Sequence, residues 1–329
     1  MAQLLLVLRQ RMRRGYAVDS IWTNFIGCGV KETYIDAAGT RTRVLEAGAG
    51  VPLVLLHGTG GHAETYSRNI GPLSKHFHVL ALDMIGHGYT DRPNVQYTMD
   101  VFADHVVAVL DAIGAPSAYV AGESLGGGVS CWTALKYPTR VRALALNTGI
   151  LARPDAAGIK QLNDVEERTR RLATEFSRDA IRRRLEWLVL DPASITEELV
   201  DIRYKIYKQP GMVEHMVTLM CTVFEMNRAR VGNVDYYSHS LSDLKCPALV
   251  IWTDHNPGKS FDVVKPAIDA IPEKEVHLLS GAAHWSQWEK PDEVNAWMIE
   301  FLTSFSKGAH NGTARSSKDN GVRASGTPR

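Results

Sequence analysis

The chain has 329 residues, of which 45% are hydrophobic and 22% charged, with a formal net charge of +1. That length fits one large domain or a core domain carrying a substantial insertion, and the composition is ordinary for a globular protein with a sizeable core. The near-zero charge excludes a strong electrostatic pull toward nucleic acid or an acidic membrane.

Residues 1–30 read as an N-terminal extension. Its start, "MAQLLLVLRQRMRRG", has an apolar run too short to span a membrane, and that run precedes the arginines, the reverse of a secretory signal. An amphipathic helix is the plainer reading; a mitochondrial presequence is the other. Residues 31–47 alternate in polarity and turn at Ala38-Gly39, which predicts a β-hairpin. "VPLVLLHG", "HFHVLALDMIGHG", "SAYVAGESLGG" and "VRALALNTG" are short apolar runs of buried-strand type. The helical patterns "MDVFADHVVAVLDAIGA" and "GGVSCWTALKYPTR" lie between them. This alternation over 31–150 predicts an α/β fold with a mostly parallel sheet.

The pattern breaks over 151–242, where "DVEERTRRLATEFSRDAIRRRLEWLVL", "SITEELVDIRYKIYKQ" and "MVEHMVTLMCTVFEM" show helical periodicity without clear strands. Alternation resumes over 243–305 with "PALVIWT", "EVHLLS" and a helix around "PDEVNAWMIEFLTSF". A helical segment therefore interrupts an α/β core. The polar, Gly/Ser-rich residues 306–329 are expected to be disordered. Cys28, Cys131, Cys221 and Cys246 are far apart and form no CxxC pair, so neither a zinc site nor a disulfide framework is indicated. We read them as reduced thiols of a cytoplasmic protein.

Gly122-Glu123-Ser124-Leu125-Gly126 is a G-x-S-x-G sequence at a strand-to-helix junction, the context a nucleophile elbow requires. A nucleophilic serine needs an oxyanion site. The N–H of Leu125, the residue after the nucleophile, is one donor expected from the motif. The other is the N–H of Thr59 in "LLHGTGG", which has neither the spacing of a dinucleotide-binding loop nor a Walker lysine. For the base, His284 follows the last strand and so falls last in chain order, whereas His87 sits in an early loop where a structural role fits better. The acid belongs after "ALVIWT"; Asp254 is the only carboxylate in that turn.

These stretches resemble the α/β-hydrolase superfamily over roughly residues 30–305, and within it the meta-cleavage product hydrolases. "HGTGG", "YSRNIGPLSKHFHVLALDMIGHGYTDRP", "GESLGGG", "ITEELVDIRYKIY" and "AAHWSQWEKPDEVN" carry the resemblance. It implies an α/β-hydrolase fold with 151–242 as a helical cap. It also implies cofactor-independent hydrolysis of a carbon–carbon bond in a vinylogous 1,5-diketone, with no metal. Arg203 would bind the substrate carboxylate and Trp285 would lie beside the substrate. The partner implied is a small molecule with a carboxylate and an apolar group, with no nucleic acid or membrane; a homo-oligomer is compatible with it.

Two departures stand out. The family usually has Asn before the serine, and here the residue is Glu123. The family's aspartate position falls on Asn256, so either Asp254 has taken over the role or Asn256 orients His284 as a neutral acceptor. Asp254 is the expectation, because a serine system gains more from a charged partner. Taken without the resemblance, Arg203 reads as a solvated helix charge. An esterase or lactonase with the same triad is the alternative activity, and a non-catalytic binding protein a third reading. Dehalogenases and epoxide hydrolases of this fold use an aspartate where this chain has Ser124. The Met-rich residues 212–226 are expected to pack the core and cap, some lining an apolar tunnel.

Overall fold

The computed structural model describes residues 20–152, 155–232, 241–305 and 323–324. The N-terminal amphipathic helix and most of the tail fall outside these residues. Residues 323–324 form a two-residue strand rather than belonging to a wholly irregular tail.

A short helix α1 (Ile21–Phe25) precedes the hairpin of β1 (Lys31–Ala37) and β2 (Thr40–Ala47). Ala37 pairs with Thr40 across Ala38 and Gly39, both at positive φ, as a tight two-residue hairpin turn demands. The core continues through β3 (Pro52–Leu56), α2 (Ser67–Ser74), β4 (His78–Leu82), α3 (Met99–Ala112), β5 (Ala118–Glu123), α4 (Leu125–Lys136) and β6 (Val141–Asn147). Four helices follow: α5 (Ala156–Arg171), α6 (Arg178–Glu186), α7 (Glu197–Tyr207) and α8 (Met212–Gly232). The chain then returns through β7 (Ala248–Thr253), α9 (Phe261–Asp269), β8 (Lys274–Leu279), α10 (Ser286–Glu289) and α11 (Pro291–Thr303) to β9 (Arg323–Ala324).

The strand order is β1-β2-β4-β3-β5-β6-β7-β8-β9; β1–β2 and β2–β4 are antiparallel and every other pair is parallel. Every residue of β5 and β7 is buried, which is why these strands read as continuous apolar runs. Alternate residues feed opposite faces. Val54, Leu56, Val250 and Trp252 join one core cluster, while Leu53, Leu55, Leu249 and Ile251 join the other. Each such fully buried side chain contributes about 1.5–3 kcal/mol.

The helical patterns of the insertion form where capping residues allow. Asp155, Ser177 and Thr196 accept from the N–H groups of Gly158, Ala180 and Leu199 at the starts of α5, α6 and α7; each cap contributes about 1 kcal/mol. The Ser177 cap splits a stretch that periodicity alone joins into one helix. Among the described residues, no helix is long and apolar enough to cross a membrane.

Candidate active site

β3 lies between β4 and β5, so the chain leaves β3 toward one side of the sheet and β5 toward the other. The loops after these strands diverge at their carboxyl ends and leave a crevice, the usual ligand position in open α/β sheets. Ser124 follows β5 there as the N-cap of α4, with φ 54° and ψ −115°. A non-glycine residue in such a conformation costs about 1–3 kcal/mol and persists only where its surroundings enforce it. Gly126 is part of that enforcement: a Cβ there would stand 2.0 Å from the Leu56 carbonyl oxygen. Leu125 is the first residue of α4, so its N–H has no acceptor within the helix.

His57 fixes the opposite loop. Its Nε2 accepts from the Met84 N–H (3.1 Å), so Nδ1 carries the proton and donates to the Gly58 carbonyl (2.8 Å). Thr59 follows immediately and lines the same cavity, of about 180 Å³, as Ser124, Leu125 and His284. His87, the rival base, is fully buried against His57 and does not line the cavity; burial pushes its pKa down to about 3.

His284 sits between β8 and α10. Its N–H donates to Leu188 of the insertion (2.9 Å), and its carbonyl accepts from the Thr148 hydroxyl (2.7 Å). Its side chain corrects one sequence expectation. The partner of Nδ1 is Asn256 Oδ1 at 2.6 Å, not Asp254. Asp254 continues from β7 beside the end of β8, where its carboxylate accepts from the Gly281 N–H (3.0 Å) and pairs with His255 (2.7 Å). Burial raises the Asp254 pKa, but His255 and the backbone donors outweigh it and the net shift is downward. Only two residues later does the turn bring a side chain back over the strand end to His284.

The Asn256 amide has one orientation that satisfies both ends. Its Nδ2 donates to the Lys259 carbonyl (3.1 Å), which leaves Oδ1 to accept from His284 Nδ1–H. The imidazole Nε2 then carries the free lone pair. Burial, with a smaller effect from Lys259, pushes the His284 pKa down to about 4, so the ring is neutral at neutral pH.

Glu123 faces that lone pair. This wholly buried last residue of β5 places Oε1 3.3 Å from His284 Nε2, and Oε1 has no hydrogen-bond partner among the described residues. Its carboxyl packs on Gly58, where an added Cβ would meet Oε2 at 2.4 Å. Burial pushes its pKa up to about 8 against the opposing pull of the Gly58 N–H and Arg203. The carboxyl is therefore protonated at neutral pH.

Arg203 is not a surface charge. It is 1% exposed, its guanidinium stands 5.5 Å from the Trp285 ring centroid, and its Nε and Nη2 have no hydrogen-bond partner among the described residues. Burial pushes its pKa down to about 10, which leaves it a cation. Both Arg203 and Trp285 line the cavity with Ser124 and His284. Val223, Phe224 and Met226 of α8 add apolar wall, while Met212, Met216 and Met220 are buried in the core. Sequence reasoning missed that Glu123 faces the imidazole, since its burial and its neighbour are both tertiary facts.

A serine at a strained strand-to-helix turn and a histidine whose Nδ1 is held by Asn256 line one cavity on this sheet, an arrangement that points to a class. The chain belongs to the α/β-hydrolase fold family, whose model matches residues 51–291. A 2-hydroxymuconate semialdehyde hydrolase from Pseudomonas sp. strain CF600 is 30% identical over 274 residues, covering 82% of this chain and 92% of the relative. The dihydrolipoyllysine-residue acetyltransferase component of an acetoin cleaving system from Pseudomonas putida is 31% identical over 273 residues, covering 81% of this chain and 68% of the relative. A solved meta-cleavage product hydrolase from Pseudomonas fluorescens IP01 matches with a TM-score of 0.70 at 28% identity, over 83% of this chain and 97% of that one. The protein is an α/β-fold hydrolase, similar within that fold to the meta-cleavage product hydrolases.

Proposed function

We propose that the protein cleaves a carbon–carbon bond in a vinylogous 1,5-diketone that carries a carboxylate. The observation that carries this reading is Arg203, a buried cation with two unpartnered donors in the cavity of Ser124 and His284. A desolvated guanidinium without a counter-ion is costly, and a bidentate carboxylate matches its fork. A neutral ester makes no use of it. The names of the two hydrolases at 30% and 28% identity point the same way, whereas the acetyltransferase component at 31% does not.

Arg203 holds the substrate carboxylate and Trp285 covers it. After the dienol ketonises, Ser124 Oγ attacks the distal carbonyl as His284 Nε2 takes its proton. The N–H groups of Leu125 and Thr59 receive the oxyanion. Collapse of this intermediate breaks the carbon–carbon bond and leaves its electron pair on the conjugated fragment, which is protonated to the 2-hydroxydienoate. Water then releases the acyl group from Ser124 as a carboxylic acid. Asn256 keeps the Nδ1 proton in place throughout, the orienting part of an acid's role without its charge. No step calls for a metal or cofactor.

The test gives purified protein a yellow 2-hydroxy-6-oxo-2,4-dienoate and, separately, p-nitrophenyl acetate. Rapid bleaching with weak ester turnover is expected, and Arg203→Ala should lower kcat/KM for the dienoate by about 10²-fold, the loss typical of a buried charged pair. Ester turnover with no bleaching would replace this reading with an esterase or lactonase.

A further inference from the structure

Helix α6 carries four arginines, and two of them pair with acids. Arg178 pairs with Glu197 and Asp201, and Arg182 with Glu186 and Glu197. Arg184 differs. Its Nη1 donates to Thr169 Oγ1 (3.0 Å) and its Nη2 meets Met220 Sδ (2.9 Å), with no carboxylate partner among the described residues. A hydroxyl and a thioether leave a half-buried guanidinium without a compensating charge; its surroundings lower its pKa through desolvation.

Its position gives that charge a use. Arg184 lines the catalytic cavity and also a second cavity of about 390 Å³, with Thr59, Trp187 and Leu188 common to both. Beyond it the second cavity is basic: Arg168, Arg171 and Arg183 line it against a single acid, Glu175. Arg203 lines only the first cavity, beside Glu123 and Trp285. The two guanidiniums repel each other, and among the described residues neither forms an ion pair with a carboxylate. One monoanion on Arg203 leaves the second charge unanswered.

We propose that Arg184 is a second anion subsite, and that the substrate carries a second carboxylate on the acyl portion that reaches past Thr59 toward the cap. This rests on the carbon–carbon hydrolase reading and specifies its substrate as a dianion. The basic cavity beyond Arg184 is the approach by which such a substrate is drawn in. A purely structural Arg184 would instead staple α5 to α8 through Thr169 and Met220, and would be indifferent to the charge of the acyl group.

The experiment compares two 2-hydroxy-6-oxo-2,4-dienoates whose acyl tails have equal length, one ending in carboxylate and the other in methyl. Wild-type kcat/KM should favour the carboxylate-ended substrate by about 10-fold or more, as expected where a site is built to pair a group that the competitor lacks. Arg184→Met should collapse that ratio, mainly through KM, and Arg184→Lys should restore part of it. Preference for the methyl-ended substrate, or an equal loss on both in Arg184→Met, overturns the proposal. Calorimetric titration of Ser124→Ala with suberate and octanoate reads the subsite without turnover. Tighter suberate binding that Arg184→Met abolishes supports the subsite even if neither dienoate is cleaved, an outcome that would sink only the hydrolase reading. Equal binding of the two acids sinks the subsite.

Discussion

At the scale of single residues, His284, the proposed base, is held by an amide rather than an acid. Asn256 fixes the Nδ1–H tautomer at 2.6 Å but brings no charge to stabilise an imidazolium. Asn256→Ala should therefore lower kcat by about 10²- to 10⁴-fold, the range seen when a base loses its orienting partner. Asp254→Asn should stay within a few-fold of wild type, since Asp254 serves Gly281 and His255. Steady-state kinetics of the two variants side by side checks this; the reverse ranking would restore Asp254 to the triad. Glu123 yields a pH prediction. Its folded pKa of about 8 lies above its ordinary value, so its protonated form stabilises the fold below about pH 4.5 and that contribution is lost as the pH rises through 8. Above pH 8 its negative charge, 3.3 Å from His284 Nε2 in a small cavity, repels an anionic substrate. Wild-type kcat/KM should fall on that alkaline limb, and Glu123→Gln should remove both the limb and the decline of Tm between pH 5 and 8.5. An unchanged profile in the variant would assign the limb to another group. Much of the candidate site was legible in the sequence, because G-x-S-x-G, the HGTGG loop and the chain order single out Ser124, Leu125, Thr59 and His284 by local pattern, and these four line one cavity. Asp254 and Asn256 could not be separated, because the path of one turn decides which side chain points inward. Arg184 was hidden among neighbours of the same type whose partners are set only by packing.

At the scale of elements, helix α4 opens on Leu125-Gly126-Gly127-Gly128, a poor helix start by propensity, since each glycine costs about 1 kcal/mol relative to alanine. Close approach explains it. Cβ atoms at Gly126 and Gly127 would stand 2.0 Å and 2.3 Å from the carbonyl oxygens of Leu56 and Gly149, both backbone atoms that cannot swing aside. At Gly128 the nearest atom is the mobile Met99 methyl, at 3.3 Å. Gly126→Ala should thus destabilise the protein by about 3 kcal/mol or more, at the upper end for overpacking, and displace Ser124 with near-total loss of activity. Gly128→Ala should be neutral or slightly stabilising through helix propensity. Urea midpoints of the two variants decide it, and equal losses would mean the elbow is not set by contact with β3. The same elements show why strands were easier to read than helix limits. β3, β5 and β7 are buried on both faces and so spell themselves out as apolar runs. The break between α5 and α6 depends on one cap, Ser177, within a continuous helical periodicity.

At the scale of the whole molecule, the helical insertion helps hold His284, the proposed base. Leu188 accepts from the N–H groups of both His284 and Trp285. Trp288 Nε1 donates to the Ser194 carbonyl (3.2 Å). Glu289 bridges the two layers, accepting from Leu190 N–H of the insertion (2.6 Å) and from Ala283 N–H (2.8 Å), the residue before the base. The imidazole therefore takes its position from two directions at once, the insertion on one side and Thr148 on the other. Removing the Glu289 carboxyl strands the Ala283 N–H, at about 1–3 kcal/mol for a donor left buried and unsatisfied, and leaves the exposed Leu190 N–H to water. Glu289→Ala should lower Tm and also kcat on the dienoate, measured well below the new Tm on folded protein. The fall in kcat is the informative part, because a misplacement of about 1 Å at a reacting group costs about 10²-fold. A variant that melts earlier yet turns over at the wild-type rate would mean the insertion serves the substrate alone, with His284 placed by the core without it.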